Sequence, residues 1–322
     1  MSDSPIPKKV LLFGATGVIG KDIVKALVDA KADFEKIAIF TSPGTAESKK
    51  EKLDALKAEG VQVVLGDVNS EEDVKKAFAD YDTVISALGR NVILTQIPLL
   101  DIAEAAPSIH TFYPSEYGTD IEYGPESPNE PPHQLKLKVR KHIRENIKKL
   151  NITYLVTGPY SDLYIGKLAI APQAGTFDVK EKNAVLCGTG DDPVSFTTMG
   201  DVGKLLVAAL KTPQTEPVRT LKVNSFTATP HEILSEFEKQ TGSKWDVSYT
   251  SLEDLKKAEK KAWEEKSPIA TVFTLRRIWT EGGTLYETRD NGKIGDPPLE
   301  TLEEQVKKAV ETEIPGFQSG RL

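Results

Sequence analysis

A strand, three glycines and a helix follow one another near the start of the chain, and no other stretch limits the fold so tightly. Residues 8–20 read KKVLLFGATGVIG. Val10, Leu11, Leu12 and Phe13 form an unbroken apolar run, the pattern of a parallel strand covered on both faces. Gly14, Gly17 and Gly20 follow at a spacing of three. Residues 21–28 then place Ile23, Val24, Leu27 and Val28 on one helical face. Gly14 suits a tight turn, Gly17 lets the backbone approach a pyrophosphate, and Gly20 lets the helix pack close to the strand. Phosphates would sit on the free N–H groups of the helix's first turn. The expectation is a dinucleotide site built from Gly14, Ala15, Thr16, Gly17, Val18, Ile19 and Gly20.

Strand and helix signals keep alternating after this entry. Strands are expected at residues 37–41, 61–65, 83–87, 110–113 and 152–156. Helices are expected at 46–56, after Ser70, at 92–104 and at 133–150. This rhythm predicts an α/β fold with a doubly wound, Rossmann-type parallel sheet. From Gly158 strands shorten and turns multiply. The division is a nucleotide-binding domain over 1–157 and a smaller substrate lobe over 158–322, interleaved with the sheet. Within the lobe, short strands are read at 175–177, 183–187, 194–198 and 219–224, and helices at 201–210, 252–265, 270–279 and 299–311. Thr229 and Glu232 form a capping box around Pro230.

Composition excludes several classes. The 322 residues carry a net charge of -7 with both signs mixed, which argues against a nucleic-acid surface. The one cysteine, Cys187, permits no internal disulfide. The first residues lack the basic and apolar segments of a leader, and no apolar run reaches the roughly 20 residues that span a bilayer. The expectations are a cytoplasmic chain, monomer or homodimer, with a small-molecule substrate, no nucleic acid and no membrane. Scattered histidines suggest no metal.

The end of the second strand bears on the cofactor. A site that prefers NAD usually carries a carboxylate there for the ribose 2′-hydroxyl. Here Thr41 and Ser42 stand in that place, with Lys49 and Lys50 beyond. The expected cofactor is NADPH, with Lys50 either on the 2′-phosphate or on a solvated helix face.

Ligands of such sheets bind beyond the carboxyl ends of the strands. That gathers residues 14–20, Thr41, Asp67, Leu88, Gly89, residues 114–117 and residues 157–160 along one crevice. The helix from 133 opens towards it. Its stripe is Leu135, Val139, Ile143, Ile147 and Leu150, with Lys136 and Arg140 four apart on one flank. Two readings of Lys136 stand on the residues alone. It belongs to a basic solvent face, or it is partly desolvated and serves as an acid or base near neutral pH. None of the nine tyrosines is followed four residues later by lysine, so the Tyr-x-x-x-Lys device of short-chain dehydrogenases is absent. Tyr160, Tyr164, Phe196 and Trp279 are guesses for an aromatic-lined substrate pocket.

Three motifs carry a family resemblance: FGATGVIG at 13–20, FYPSEYGTD at 112–120 and KLKVR at 136–140. Together the sequence resembles the NmrA-like, isoflavone-reductase-like family of atypical short-chain dehydrogenases. Phenylcoumaran benzylic ether and pinoresinol–lariciresinol reductases belong to it. The resemblance implies that residues 14–20 bind NADPH pyrophosphate, that Lys136 is the catalytic lysine, that Arg140 lies beside the cofactor and that Lys50 helps hold the 2′-phosphate. Thr41 stands where the family usually has arginine, and the Gly158-Pro159-Tyr160 turn is also different. The resemblance implies a reductase that delivers hydride to a conjugated or benzylic carbon of an aromatic, phenolic or polyketide-like molecule. The alternative it carries is a non-catalytic NADP(H) sensor that binds a protein partner.

Overall fold

The computed structural model describes residues 6–312, so residues 1–5, part of the stretch read for a leader, lie outside it. Alternating burial organises the sheet. In β1 (Lys9–Phe13), Val10 and Leu12 pack into one apolar layer, Leu11 and Phe13 into the other. In β2 (Lys36–Thr41), Ile37 and Ile39 join the first layer, Ala38 and Phe40 the second. Each such large apolar side chain withdrawn from water contributes about 1.5–3 kcal/mol. A sheet that is apolar on both faces requires helices on both, and crossover helices keep its strands parallel.

Seven parallel strands form that sheet. Their order is β10 (Val218–Lys222), β6 (Asn151–Val156), β5 (Thr111–Tyr113), β4 (Thr83–Ser86), β1, β2 and β3 (Gln62–Leu65). One face is covered by α1 (Gly20–Asp29), α3 (Lys50–Ala58) and α8 (Met199–Leu210). The other is covered by α4 (Glu71–Phe78), α5 (Gln96–Ala105) and α6 (Gln134–Asn146). Strand order reverses between β1 and β4, and the loops leaving their C-terminal ends open the crevice.

The lobe has two small sheets. β8 (Asn183–Cys187) pairs antiparallel with β7 (Thr176–Asp178) and parallel with β12 (Asp246–Thr250). β9 (Val194–Phe196) pairs antiparallel with β11 (Phe226–Ala228). Around them lie α7 (Ser161–Tyr164), α9 (Pro230–Thr241), α10 (Leu252–Glu264), α11 (Ala270–Thr280) and α12 (Leu302–Thr312). Between these parts the chain returns to the large sheet: α8 packs on α1, and β10 extends the sheet beyond β6. No described helix is long and apolar enough to cross a membrane.

Several expected elements differ. The helix expected at 46–56 is two, α2 (Pro43–Ser48) and α3, broken at Lys49, whose φ is -119° and ψ 29°. The Ser42 hydroxyl accepts from the Thr45 N–H and Pro43 takes the first position, so the first helix starts early. The helix expected at 92–104 begins as a 3-10 turn, Arg90–Thr95, and becomes α5 at Gln96. The helix expected to reach 150 stops at Asn146. The Glu104 carboxylate accepts the N–H groups of Lys148, Lys149 and Leu150 at 2.9, 2.8 and 3.1 Å, satisfying the chain where the helix has ended. Ile147 and Leu150 still pack into the layer below. Strands β11 and β12 had no strand signal strong enough to read.

Phe237 tests the lobe's core. It is fully buried, 5.4 Å from Phe177 and 5.0 Å from Trp245 by ring centroids. Phe237→Ala is expected to lower the unfolding free energy by about 3–5 kcal/mol in urea titrations followed by circular dichroism.

Candidate active site

The glycine turn fixes one side of the site. Gly14 leaves β1 with φ +82°, and a Cβ there would lie 2.5 Å from the Ala87 carbonyl oxygen at the end of β4. A Cβ on Gly20 would lie 2.0 Å from the Gly14 carbonyl oxygen. The turn closes so tightly that α1 begins directly at the crevice, its N-terminal N–H groups at the mouth.

A cavity of about 330 Å³ occupies that crevice. Gly17, Val18 and Ile19 line it, as do Leu88 and Gly89 after β4 and residues 115–119 after β5. The lobe adds Gly158, Tyr160 and Tyr164, and α11 adds Arg276 and Trp279. Gly14, Ala15, Thr16 and Gly20 shape the turn behind the lining. Thr41 and Ser42 lie outside the lining, and so do Lys50 and Arg140.

Lys136 lies in the first turn of α6 and its side chain is half-buried in the cavity wall. Its ammonium donates to the backbone carbonyl of Glu116. Burial pushes its pKa down to about 8; Glu116 opposes the shift, and Arg90 and Arg140 add to it. Lys136 thus lines the cavity, while its neighbours Lys138 and Lys141 are exposed.

Arg140, one turn on, lies outside the cavity lining and is enclosed by carboxylates. It is 2 % exposed, with Nε on Glu116 Oε1 at 2.9 Å and Nη2 on Oε2 at 3.1 Å. Its Nη1 reaches Glu122 at 2.7 Å and Asp120 at 3.4 Å, and the guanidinium lies 4.5 Å from the Tyr154 ring centroid. Burial works against its charge, but the carboxylates hold its pKa above the ordinary value. These three carboxylates tie Arg140, and with it α6, to the segment that follows β5.

The two lysines at the far end have different surroundings. Lys50 is exposed and pairs with Asp54 at 2.6 Å, one turn along α3. The break before α3 turns Lys49 inward, where its ammonium meets Thr16 Oγ1 at 2.9 Å and Thr16 O at 3.2 Å. Ser42 is committed as a helix cap. Lys49, rather than Lys50, is the lysine in contact with Thr16 of the glycine turn.

Of the aromatic guesses, Tyr160, Tyr164 and Trp279 line the cavity. The Trp279 indole donates to Thr119 Oγ1 at 2.8 Å, and the Tyr160 hydroxyl donates to the Tyr117 carbonyl. Phe196 does not reach it. It lies behind Tyr164 with ring centroids 4.7 Å apart, in the lobe's core. Asp67 also lies outside the lining.

Among the lining residues that escaped the sequence reading, three are titratable: Arg90, His133 and Arg276. Each had a positional signal. Arg90 follows Gly89 directly, and His133 and Arg276 precede Lys136 and Trp279 by three residues, close to one helical turn. His133 Nδ1 lies 3.0 Å from the Ser127 carbonyl, which can only accept, so Nδ1 carries the hydrogen. Burial draws the ring's pKa below its ordinary value, and Nε2 is a buried acceptor without a partner.

With this geometry in place, known proteins can be compared. The NmrA-like family model matches residues 7–277. The chain belongs to that family. It is 28% identical over 292 residues to an isoflavone reductase of Cicer arietinum, covering 87% of this chain and 89% of the relative. A phenylcoumaran benzylic ether reductase of Pinus taeda is 26% identical over 254 residues, covering 77% and 80%. Among solved structures, the leucoanthocyanidin reductase–NADPH complex of Vitis vinifera superimposes with a TM-score of 0.77 at 22% identity, covering 94% of this chain and 100% of that one. A structure with NADP+ and (+)-pinoresinol gives a TM-score of 0.78 at 22% identity, covering 94% and 99%. The structural likeness establishes the fold.

Removing Arg140 separates holding the site together from binding a cofactor. Arg140→Ala strands the buried Glu116 carboxylate, and is expected to cost about 3–5 kcal/mol of folding free energy in denaturant titrations.

Proposed function

We propose that this NmrA-like protein is an NADPH-dependent reductase of a small conjugated aromatic, phenolic or polyketide-like molecule, with Lys136 as its acid/base group. The observation that carries the reading is the Lys136 amine, desolvated in the wall of a cavity that also meets the glycine turn. Relatives named as reductases of phenolic compounds support it. NADPH, when bound, supplies a hydride.

The residues fit such a cofactor. The pyrophosphate would rest on the backbone of Gly17, Val18 and Ile19 at the N-terminus of α1. Lys49 beside Thr16 offers positive charge for a 2′-phosphate, in a neighbourhood where neither Thr41 nor Ser42 brings a carboxylate that would repel it. Leu88 and Gly89 present apolar and open surface where a nicotinamide ring would lie. Tyr160, Tyr164 and Trp279 exclude water from the rest of the cavity and match a flat substrate.

Lys136 then moves the proton. Its Nζ is held by the Glu116 carbonyl, which accepts a hydrogen bond and leaves the other ammonium protons free. In the reductive direction Nζ donates a proton to the substrate oxygen as electron density arrives on the conjugated system. A pKa near 8 keeps most of the lysine charged at neutral pH and still makes it a better acid than an ordinary lysine.

Two measurements test this. Lys136→Ala is expected to cut turnover by about 10²–10⁴-fold with NADPH affinity unchanged. In the wild type, kcat/KM for reduction is expected to hold at low pH and fall as pH rises through about 8, where the ammonium is lost. Full turnover in the variant removes the acid/base role. Tight NADPH binding with no oxidation over a panel of enones and phenolics favours the sensor alternative. For the cofactor end, Lys49→Ala is expected to weaken NADPH binding by about tenfold and Lys50→Ala by less than about twofold in calorimetry.

A further inference from the structure

The charge of the cavity wall is unbalanced. Three lining residues are cationic, Arg90, Lys136 and Arg276, and one lining residue, Glu116, carries a carboxylate. That carboxylate is already taken, since Arg140 holds both its oxygens at 2.9 and 3.1 Å. His133 adds no compensating negative charge, because an imidazole is either neutral or cationic.

Arg276 is the extreme case. It is 3 % exposed, and among the described residues no carboxylate lies within ion-pair distance of it. Its Nη2 donates to the carbonyls of Tyr164 at 3.1 Å and Gly175 at 3.5 Å, and its plane lies 3.7 Å over the Tyr164 ring. Its Nη1 is buried with no partner. Arg90 is nearly as poorly matched. Its Nη1 reaches the Thr271 hydroxyl at 3.3 Å, and burial pulls its pKa below the ordinary value.

A buried cation without a counter-charge is costly, and an anion that binds beside it relieves the cost. The phosphates of a dinucleotide do not supply that anion, because they belong at the N-terminus of α1. Arg276 comes from α11, and Arg90 is tied to the same helix through Thr271. Arg276 therefore belongs to the lobe's wall, and Arg90, in the 3-10 turn after β4, is joined to that wall through Thr271.

We propose that the substrate is an anion, a conjugated aromatic acid whose carboxylate is held by Arg276 with Arg90 in support. This rests on the reductase reading and sharpens it. A cavity of about 330 Å³ walled by Tyr160, Tyr164 and Trp279 accepts the ring system, and the guanidinium of Arg276 offers the planar donor geometry that a carboxylate takes.

Calorimetry on the NADP+-loaded protein tests it, with cinnamate and 4-hydroxycinnamate against their methyl esters as probes. The acids are expected to bind about tenfold or more tightly than the esters. The preference should vanish in Arg276→Gln, survive in part in Arg276→Lys, and shrink in Arg90→Gln, with NADP+ affinity unchanged throughout. A purely structural Arg276 would not distinguish the Gln and Lys variants in this way. Should Arg276→Gln not fold, the wild type and Arg90→Gln decide alone. Esters binding as tightly as acids overturn the proposal and leave the reductase reading intact. Failure of the wild type to bind NADP+ at all overturns both.

Discussion

The salt link between Arg140 and Glu116 holds the site in register. It joins α6 to the segment that leaves β5, and those two elements carry the groups that matter. Glu116 accepts from Lys136 through its backbone and from Arg140 through its side chain. One residue thus anchors the amine and is itself anchored one helical turn away. Asp120 and Glu122 extend the network, and Asp120 also meets Lys222 on β10 at 3.0 Å. The sheet edge, the helix and the loop are fixed against one another by charge where apolar packing alone would leave the loop free to shift. Such a buried network stabilises little in net terms, but it is unforgiving of loss.

The same network explains the state of Lys136. With Arg140 on one side and Arg90 on the other, the lysine sits among cations in a poorly solvated wall. Glu116 keeps the charge tolerable without neutralising it. The amine is left titratable near neutrality, which neither a free surface lysine nor a tightly paired buried one would be.

How far the sequence could be read differs by region. The glycine turn was legible because each glycine answers a local steric demand: Gly14 by its φ, Gly20 by its contact with the turn. The apolar runs of β1 and β2 were legible because burial on both faces leaves a continuous signal. Lys136 was placed by its position on α6, but its burial and the charges of Arg90 and Glu116 around it come from segments distant in sequence. The contact of Lys49 with Thr16 was not legible because Lys49 leaves the helical conformation, and periodicity carries no trace of such a break. The carboxylates around Arg140 were hidden for a related reason. They lie on a loop about 20 residues upstream, and spacing along the helix says nothing of them. β12 stayed hidden because an edge strand with one face in water lacks a core strand's apolar run.

The route of the chain through the lobe constrains how this scaffold can be rebuilt. Because α8 and β10 return to the large sheet midway, the lobe is two insertions, spanning roughly residues 159–198 and 223–301 with α12 closing over the second. Specificity therefore cannot be transplanted by a single cut after β6. A chimera made that way would import a foreign α8 against the native α1, where a Cβ on Gly203 would already lie 2.6 Å from the Asp22 carbonyl. Exchange of modules between relatives demands two paired splice points, and the helix–helix seam left between them must remain native.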